Sequence, residues 1–119
     1  MDNITKKSTA TFSCIFQDDS GVVPALEITD IKITLYDKAT KAIINSRDHQ
    51  TVYGVNGGTW NVVTGAFSFQ FSPDDNNIVD TTLADDAFEE HVLLVQWFYG
   101  GTLQGSEEFV FPVQNIYGV

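Results

Sequence analysis

Three phenylalanines at every second position constrain this chain more than any other feature of its sequence. Phe67, Phe69 and Phe71 alternate with small or polar residues in the segment 66–71. Side chains at a spacing of two share one face of a β-strand, whereas an α-helix, with its period of 3.6 residues, scatters them around its axis. The segment therefore predicts a β-strand with one strongly apolar face, which must pack against another layer of structure.

The same alternation recurs along most of the chain. Its apolar positions are Ala10, Phe12, Cys14 and Phe16; Ile31, Ile33 and Leu35; and Phe109, Phe111 and Val113. Shorter strands are predicted at Ala42–Asn45, Val52–Tyr53 and Trp60–Val63, between turns that contain glycine, asparagine and aspartate. Some seven or eight short strands separated by turns predict an all-β fold, and specifically an antiparallel β-sandwich.

One segment differs from the other strands because it is apolar on both faces. In Glu90–Tyr99, Val92, Leu94 and Phe98 share one face, while Leu93, Val95 and Trp97 share the other. A strand covered on both sides belongs in the middle of a sheet. We therefore expect this segment either to be a central strand or to present one of its faces to a partner, with Trp97 in the core.

The length of the chain indicates one domain. A chain of 119 residues can form one core, and we expect a single sandwich over residues 1–119 with short arms at 1–7 and 115–119. Cys14 is the single cysteine, which excludes an intrachain disulfide and predicts a small buried hydrophobe. Because no signal-peptide pattern or long apolar run is visible, we expect folding in the cytoplasm.

The charge of the chain is strongly acidic and unevenly placed. The net charge is −10, and residues 51–119 hold nine acids and no lysine or arginine. Such a surface should repel nucleic acids and anionic membranes, so we expect neither as a partner. The acidic half is interpreted as a solvated face, with a docking surface for a basic partner or a cation site as the alternatives.

The candidate cation ligands are carboxylates. Asp74, Asp75 and Asp80 are the candidate Ca²⁺ ligands, although their spacing does not match the loop of an EF-hand. The two histidines, His49 and His91, have no zinc spacing, and His91 is interpreted as a strand-edge residue. No nucleophile motif or P-loop occurs, so we expect no enzymatic activity and no cofactor.

Two further features suggest partner-binding residues. Trp60, beside a glycine-rich turn, is the better candidate for an exposed aromatic side chain that could stack on a sugar. Lys6 and Lys7 lie in the N-terminal arm of an otherwise acidic chain and could tether it to an acidic partner.

The order of strands and corners resembles a known family. The segments that carry the resemblance are Ser8–Phe16, the Asp-Ser-Gly turn at 19–21, Ile28–Tyr36, Gly65–Phe69, the Ser72–Asp75 corner, His91–Tyr99 and Glu107–Val113. Over residues 8–114 this pattern is similar to the immunoglobulin-like domains in virion proteins of tailed bacteriophages, which serve as head decoration, neck, collar, tail or baseplate components. The resemblance implies an immunoglobulin-like sandwich, no catalytic residues and a structural role in many copies.

Three functional hypotheses follow. The first is a virion protein, assembled in the host cytoplasm, that decorates or stabilises the capsid or the head–tail neck through contacts with capsid, portal, neck or tail subunits. The second is a glycan-binding or adhesion module at a cell surface, with Ca²⁺ as a candidate ligand. The third is a small hydrolase using the acids between Asp74 and Glu90, which the lack of a cleft-forming segment disfavours.

Overall fold

The computed structural model describes residues 4–18, 21–22, 27–61 and 63–119, and the regular secondary structure in this part of the chain consists almost wholly of β-strands. A short 3₁₀ turn at Pro73–Asn76 interrupts them. The ten strands are β1 (Ile4–Thr5), β2 (Ala10–Ile15), β3 (Gln17–Asp18), β4 (Gly21–Val22), β5 (Ile28–Asp37), β6 (Gln50–Thr51), β7 (Gly58–Trp60), β8 (Ala66–Phe71), β9 (Phe88–Tyr99) and β10 (Leu103–Gln114). The predicted all-β class is confirmed.

The strands form two principal sheets and a short hairpin. The larger sheet has the order β1-β10-β9-β5-β6, the smaller has the order β2-β8-β7, and β3 pairs with β4. All pairings are antiparallel except that of β1 with β10, which is parallel and aligns Ile4 with Val113. The large sheet is therefore mixed, which departs from the purely antiparallel arrangement predicted.

The inner faces of the two sheets share one hydrophobic core. Phe67, Phe69 and Phe71 are fully buried, as their alternation predicts. Rings from the smaller sheet meet rings of β10, with centroids 4.6 Å apart for Phe12 and Phe109 and 5.4 Å apart for Phe71 and Phe111. The alternating apolar side chains of each sheet thus point toward the other sheet, and each sheet buries the apolar face of the other.

Strand β9 lies in the middle of the large sheet, as its two apolar faces predict. It pairs with β10 along one side and with β5 along the other. Trp97 is 7% exposed and belongs to the core. The prediction of a core role for Trp97 is confirmed.

The shorter predicted strands are partly wrong. Ala42–Asn45 is a turn in which Ile43 makes an isolated bridge to Tyr36, because Asn45 and Ser46 have positive φ values of 53° and 56° that turn the backbone out of an extended path. The predicted strand Val52–Tyr53 is shifted to Gln50–Thr51, and Trp60–Val63 is shifted to Gly58–Trp60. Residue 62 and most of the turn at 19–21 lie outside the described residues.

The predicted terminal arms are held by the sheet where they are described. Residues 1–3 lie outside the described residues, but Ile4 is buried and begins β1. At the other end, Asn115 accepts a hydrogen bond from the backbone of Asp86 and donates one to Ala87. Residues 4–7 and 115 are therefore parts of the domain and not free arms. Within the described residues, no helix is long and apolar enough to cross a membrane.

Candidate functional site: an open sheet edge and a buried polar cluster

In the part of the chain that the structure describes, the outer edge of β10 is the longest open edge of the large sheet. Strand β1 covers β10 only at Val113 and Gln114. Among the described residues no strand pairs with the outer side of β10 from Leu103 to Pro112. Backbone N–H and C=O groups at an open edge can pair with an extended segment of another chain, so this edge is a candidate docking surface.

The side chains along this edge are acidic and apolar. Glu107 and Glu108 are exposed, and Leu103 and Val110 are 54% and 42% exposed. Two adjacent acids on an edge strand oppose pairing with a second copy of the same edge, because like charges would face each other. The same acids favour an extended segment that carries lysine or arginine.

Strand β2 runs beside this edge in the other sheet, and a small cleft lies between them. The cleft, about 90 Å³ in volume, is lined by residues that include Cys14, Phe16, Trp97, Glu107 and Phe109. Burial, with the negative charge of Glu107 adding to it, raises the pKa of the Cys14 thiol to about 11. Cys14 is half-buried against the core, in agreement with its predicted role as a small hydrophobe.

Trp60 is not the freely exposed aromatic side chain that the sequence suggested. It is half-buried and stacks on Phe16, with ring centroids 5.6 Å apart and planes inclined by 19°. Phe16 also stacks on Trp97 at 4.7 Å. Trp60 therefore belongs to a three-ring stack against the core, and sequence could not show this because Phe16 lies 44 positions away in the chain.

The two candidate tether lysines lie where β1 meets β10. The backbone N–H of Lys6 donates to the carbonyl of Gln114 at 2.9 Å, and that of Lys7 donates to Asn76 at 3.1 Å. Lys6 is half-buried and Lys7 is exposed. Their backbones are fixed to the domain, so these lysines are surface groups at the end of the edge and do not form a loose tether.

Of the three candidate Ca²⁺ ligands, Asp75 already has a cationic partner. Its carboxylate is fully buried and accepts hydrogen bonds from Arg47 Nε at 2.8 Å and Nη2 at 3.0 Å. Burial alone would raise the pKa of Asp75, but the hydrogen bonds from Arg47, Asn45 and Ser72, with the charge of Arg47, lower it. Asp75 therefore stabilises the 3₁₀ turn.

The other two candidates do not join Asp75 in a site. Asp74 and Asp80 are exposed. Hydrogen bonds from the hydroxyl and the backbone N–H of Thr82 lower the pKa of Asp80. In the described part of the chain, these three acids form no group whose carboxylate oxygens lie close enough together to hold one ion.

A different set of metal-compatible groups is buried together at one end of the core. Asp37, Glu89 and His91 each offer one oxygen or nitrogen atom, and these atoms all lie within 4.8 Å of one another. Asp37 is 3% exposed, Glu89 8% and His91 0%. We call these three residues the buried polar cluster.

The sheet register brings the cluster together. Asp37, the last residue of β5, is paired with His91 of β9, and Glu89 lies two positions before His91 on the same face of β9. His91 Nε2 and Glu89 Oε1 are 2.6 Å apart. His91 Nδ1 is buried and has no hydrogen-bond partner among the described residues. His91 is thus a buried residue of a central strand, and its interpretation as a strand-edge residue is wrong.

Backbone groups hold the two carboxylates in place. Glu89 Oε1 accepts a hydrogen bond from the N–H of Val79 at 2.7 Å, and Oε2 accepts one from the N–H of Asp80 at 2.8 Å. Asp37 Oδ2 accepts hydrogen bonds from the N–H and the hydroxyl of Thr40. The cluster therefore joins β5 and β9 to the loop at residues 79–80.

A groove gives solvent access to the carboxylates. It has a volume of about 690 Å³, and Asp37, Glu89, Thr40, Asp80 and Phe88 are among its lining residues. A small solute in the groove can thus reach the cluster from outside.

Sequence reasoning missed the cluster although a signal was present. Asp37 has the same parity as the buried Ile33 and Leu35, and this places its carboxylate on the core face of β5. Glu89 and His91 have the same parity as Leu93 and Val95. Polar residues that continue an apolar alternation are expected on the buried face of a strand, and this signal could have identified the members of the cluster.

In comparisons with known proteins, no family model matches this chain and no curated protein matches it.

Proposed function

We propose that this chain is a non-enzymatic assembly domain that binds a partner along the open edge of β10. The observation that carries the proposal is the stretch from Leu103 to Pro112, whose outer side pairs with no strand of the described ranges and on which Glu107 and Glu108 are exposed. An extended segment can add to such an edge as a further strand, so that backbone hydrogen bonds supply affinity and side chains supply specificity.

The negative charge of this half of the domain indicates which kind of segment can bind. Residues 51–119 hold no lysine or arginine, so this half of the domain attracts a basic segment and repels a copy of itself. The exposed Leu103 and Val110 would be covered by apolar side chains of the added strand. The partner is therefore an extended protein segment with both cationic and apolar residues.

The assembly that we propose is the virion of a tailed bacteriophage. Two sheets with one shared core and an order of corners similar to that of virion domains support an immunoglobulin-like sandwich. In this role the chain decorates or stabilises the capsid or the neck in many copies, which turns weak single contacts into firm attachment. Its partners are capsid, portal, neck or tail subunits, without nucleic acid or membrane, and it assembles in the host cytoplasm.

The test is incorporation of the chain into purified particles. We expect mass spectrometry of phage particles banded in a density gradient to detect the unmodified chain, and its absence from them would overturn the virion assignment. A double variant, Glu107→Lys with Glu108→Lys, should be incorporated at least about tenfold less, because reversed charge repels the basic segment.

A matched variant separates a docking effect from a general effect of charge. Asp48→Lys with Asp74→Lys makes the same change in net charge at exposed acids outside β10 and should be incorporated at the wild-type level. Equal incorporation of both double variants would show that the edge of β10 is not the docking surface, whatever the assembly.

A further inference from the structure

The buried polar cluster carries more negative charge than its own residues neutralise. Two carboxylates, Asp37 and Glu89, are more than nine-tenths buried, and the single imidazole of His91 can balance only one of them. The neighbouring Lys38 pairs instead with Glu90, at 3.1 Å on the exposed rim. An unbalanced buried charge is costly, and buried charges in proteins are normally paired or coordinate a metal.

Unsatisfied atoms in the cluster also point to a ligand. His91 Nδ1 is fully buried without a hydrogen-bond partner in the described part of the chain. The hydrogen bonds that described residues donate to the Asp37 carboxylate both go to Oδ2, from the N–H and the hydroxyl of Thr40, and within the described residues none goes to Oδ1. Buried polar atoms without partners are uncommon in folded proteins and indicate a bound water or ion.

From these contacts we infer that Asp37, Glu89 and His91 form a binding site for a divalent transition-metal ion, with Zn²⁺ as the ion that fits best. One nitrogen and two carboxylate oxygens are ligands that Zn²⁺ accepts, whereas Ca²⁺ and Mg²⁺ prefer oxygen alone. Three protein ligands leave a fourth position, which the groove along Asp37 and Glu89 supplies with water.

The geometry requires a small closure on the Asp37 side of the site and a small opening between Glu89 Oε1 and His91 Nε2, which are 2.6 Å apart. Ligand atoms around a tetrahedral Zn²⁺ are roughly 3.4 Å apart, and the three candidate atoms lie within 4.8 Å of one another. Side-chain rotation of Asp37, which ends its strand, can supply this closure. Bonds from the N–H groups of Val79 and Asp80 orient Glu89 in the way that outer-shell groups orient metal ligands.

The chain offers a useful background for the test. Its two histidines are His91 in the cluster and the exposed His49. His49 Nδ1 lies 2.6 Å from Oδ1 of the exposed Asp48. The variant His49→Gln removes the surface imidazole and leaves His91 as the one histidine. Any Zn²⁺ binding that needs an imidazole must then use His91.

The experiment measures Zn²⁺ binding to the His49→Gln protein after treatment with a chelator. We expect one Zn²⁺ per chain by titration calorimetry, and a rise in Tm of about 10 °C at a free Zn²⁺ concentration of 100 times Kd. Adding Asp37→Asn or His91→Gln should weaken Zn²⁺ binding at least about 100-fold. Asp37→Asn keeps the size of the side chain, so it remains informative if His91→Gln fails to fold.

Three outcomes would overturn the inference. These are no Zn²⁺ binding by the His49→Gln protein, Zn²⁺ binding that Asp37→Asn leaves unchanged, and a larger rise in Tm with Ca²⁺ than with Zn²⁺. None of them bears on the docking edge, because the cluster and the edge share no residue.

Discussion

Arg47 and Asp75 form a buried ion pair in which two guanidinium nitrogens each donate a hydrogen bond to a different carboxylate oxygen. The same guanidinium lies over the ring of Phe69, 4.9 Å from its centroid, and Nη1 donates to the carbonyl of Asn56 at 2.6 Å. One arginine therefore connects the turn at Pro73–Asn76, strand β8 and the glycine-rich turn before β7. A pair placed in this way should contribute strongly to the stability of the smaller sheet.

Removing the arginine should leave a buried charge without a partner. We expect Arg47→Ala to lower the free energy of unfolding by about 3–5 kcal/mol, measured by urea denaturation. Lys38→Ala is the control, because its ion pair with Glu90 is more than half exposed at both ends and should contribute no more than about 1 kcal/mol. Equal losses in the two variants would contradict the role assigned to Arg47.

The same pair should make the free energy of unfolding depend on pH in the acidic range. Because hydrogen bonds hold the pKa of Asp75 below its ordinary value of 3.8 in the folded state, the unfolded chain binds the proton more readily than the folded protein. The contribution of Asp75 is therefore present above the ordinary pKa and is lost as the pH falls through the folded-state pKa.

This dependence can be read from a variant series. The stability difference between the wild-type protein and Asp75→Asn should be largest at pH 6 and should shrink steadily from pH 4 to pH 2 in urea titrations. Asp74→Asn, at an exposed neighbour, should show a small difference at every pH. A difference for Asp75→Asn that grows on acidification would contradict the argument.

The alternation of apolar residues predicted the strands well because burial of one face is a local property of the sequence. Phe67, Phe69 and Phe71 could be assigned to the core without knowledge of what covers them. The partners of polar residues could not be assigned in this way. Asp75 binds Arg47, which lies 28 positions away in the chain, and the register of two strands places Asp37 opposite His91. Pattern reasoning therefore placed the candidate cation site at two exposed acids, Asp74 and Asp80, and at Asp75, which is paired with Arg47, whereas the metal-compatible atoms of the buried polar cluster lie in the core.

Gly105 should be intolerant of a side chain. It lies opposite Trp97 in the pairing of β9 and β10, and a Cβ atom there would overlap the indole ring. We expect Gly105→Ala to lower the free energy of unfolding by about 1–3 kcal/mol through overpacking. Ser106→Ala, at the next and exposed position, should change it by less than about 0.5 kcal/mol, and a larger loss in Ser106→Ala would refute this explanation.

Cys14 should be a slow nucleophile. With its pKa raised to about 11 by burial and by Glu107, only about one thiol in a thousand is ionised at pH 8. Alkylation by iodoacetamide should therefore be roughly 100-fold slower than that of a free cysteine. Glu107→Gln should accelerate it, whereas Glu108→Gln should not, because Glu108 accepts a hydrogen bond from Tyr36 and does not contribute to the raised pKa of Cys14.

The acidic second half should make the domain sensitive to ionic strength. Residues 51–119 carry nine acids without a lysine or arginine, and screening of their mutual repulsion should raise Tm between low and moderate salt. Differential scanning calorimetry at 10 and 150 mM sodium chloride measures the change. A Tm that falls over this interval would contradict the expectation.

The stack of Trp60, Phe16 and Trp97 provides an intrinsic fluorescence probe that reports on one region of the molecule. Both indoles contact the same phenylalanine, and Trp97 also faces Gly105 of the open strand. His91 lies three side-chain positions along the same face of β9, roughly 20 Å from Trp97 along the strand. Tryptophan emission should therefore change when a segment binds at the β10 edge and should not change when an ion binds at the far end of the core. The two binding events can thus be distinguished in one sample.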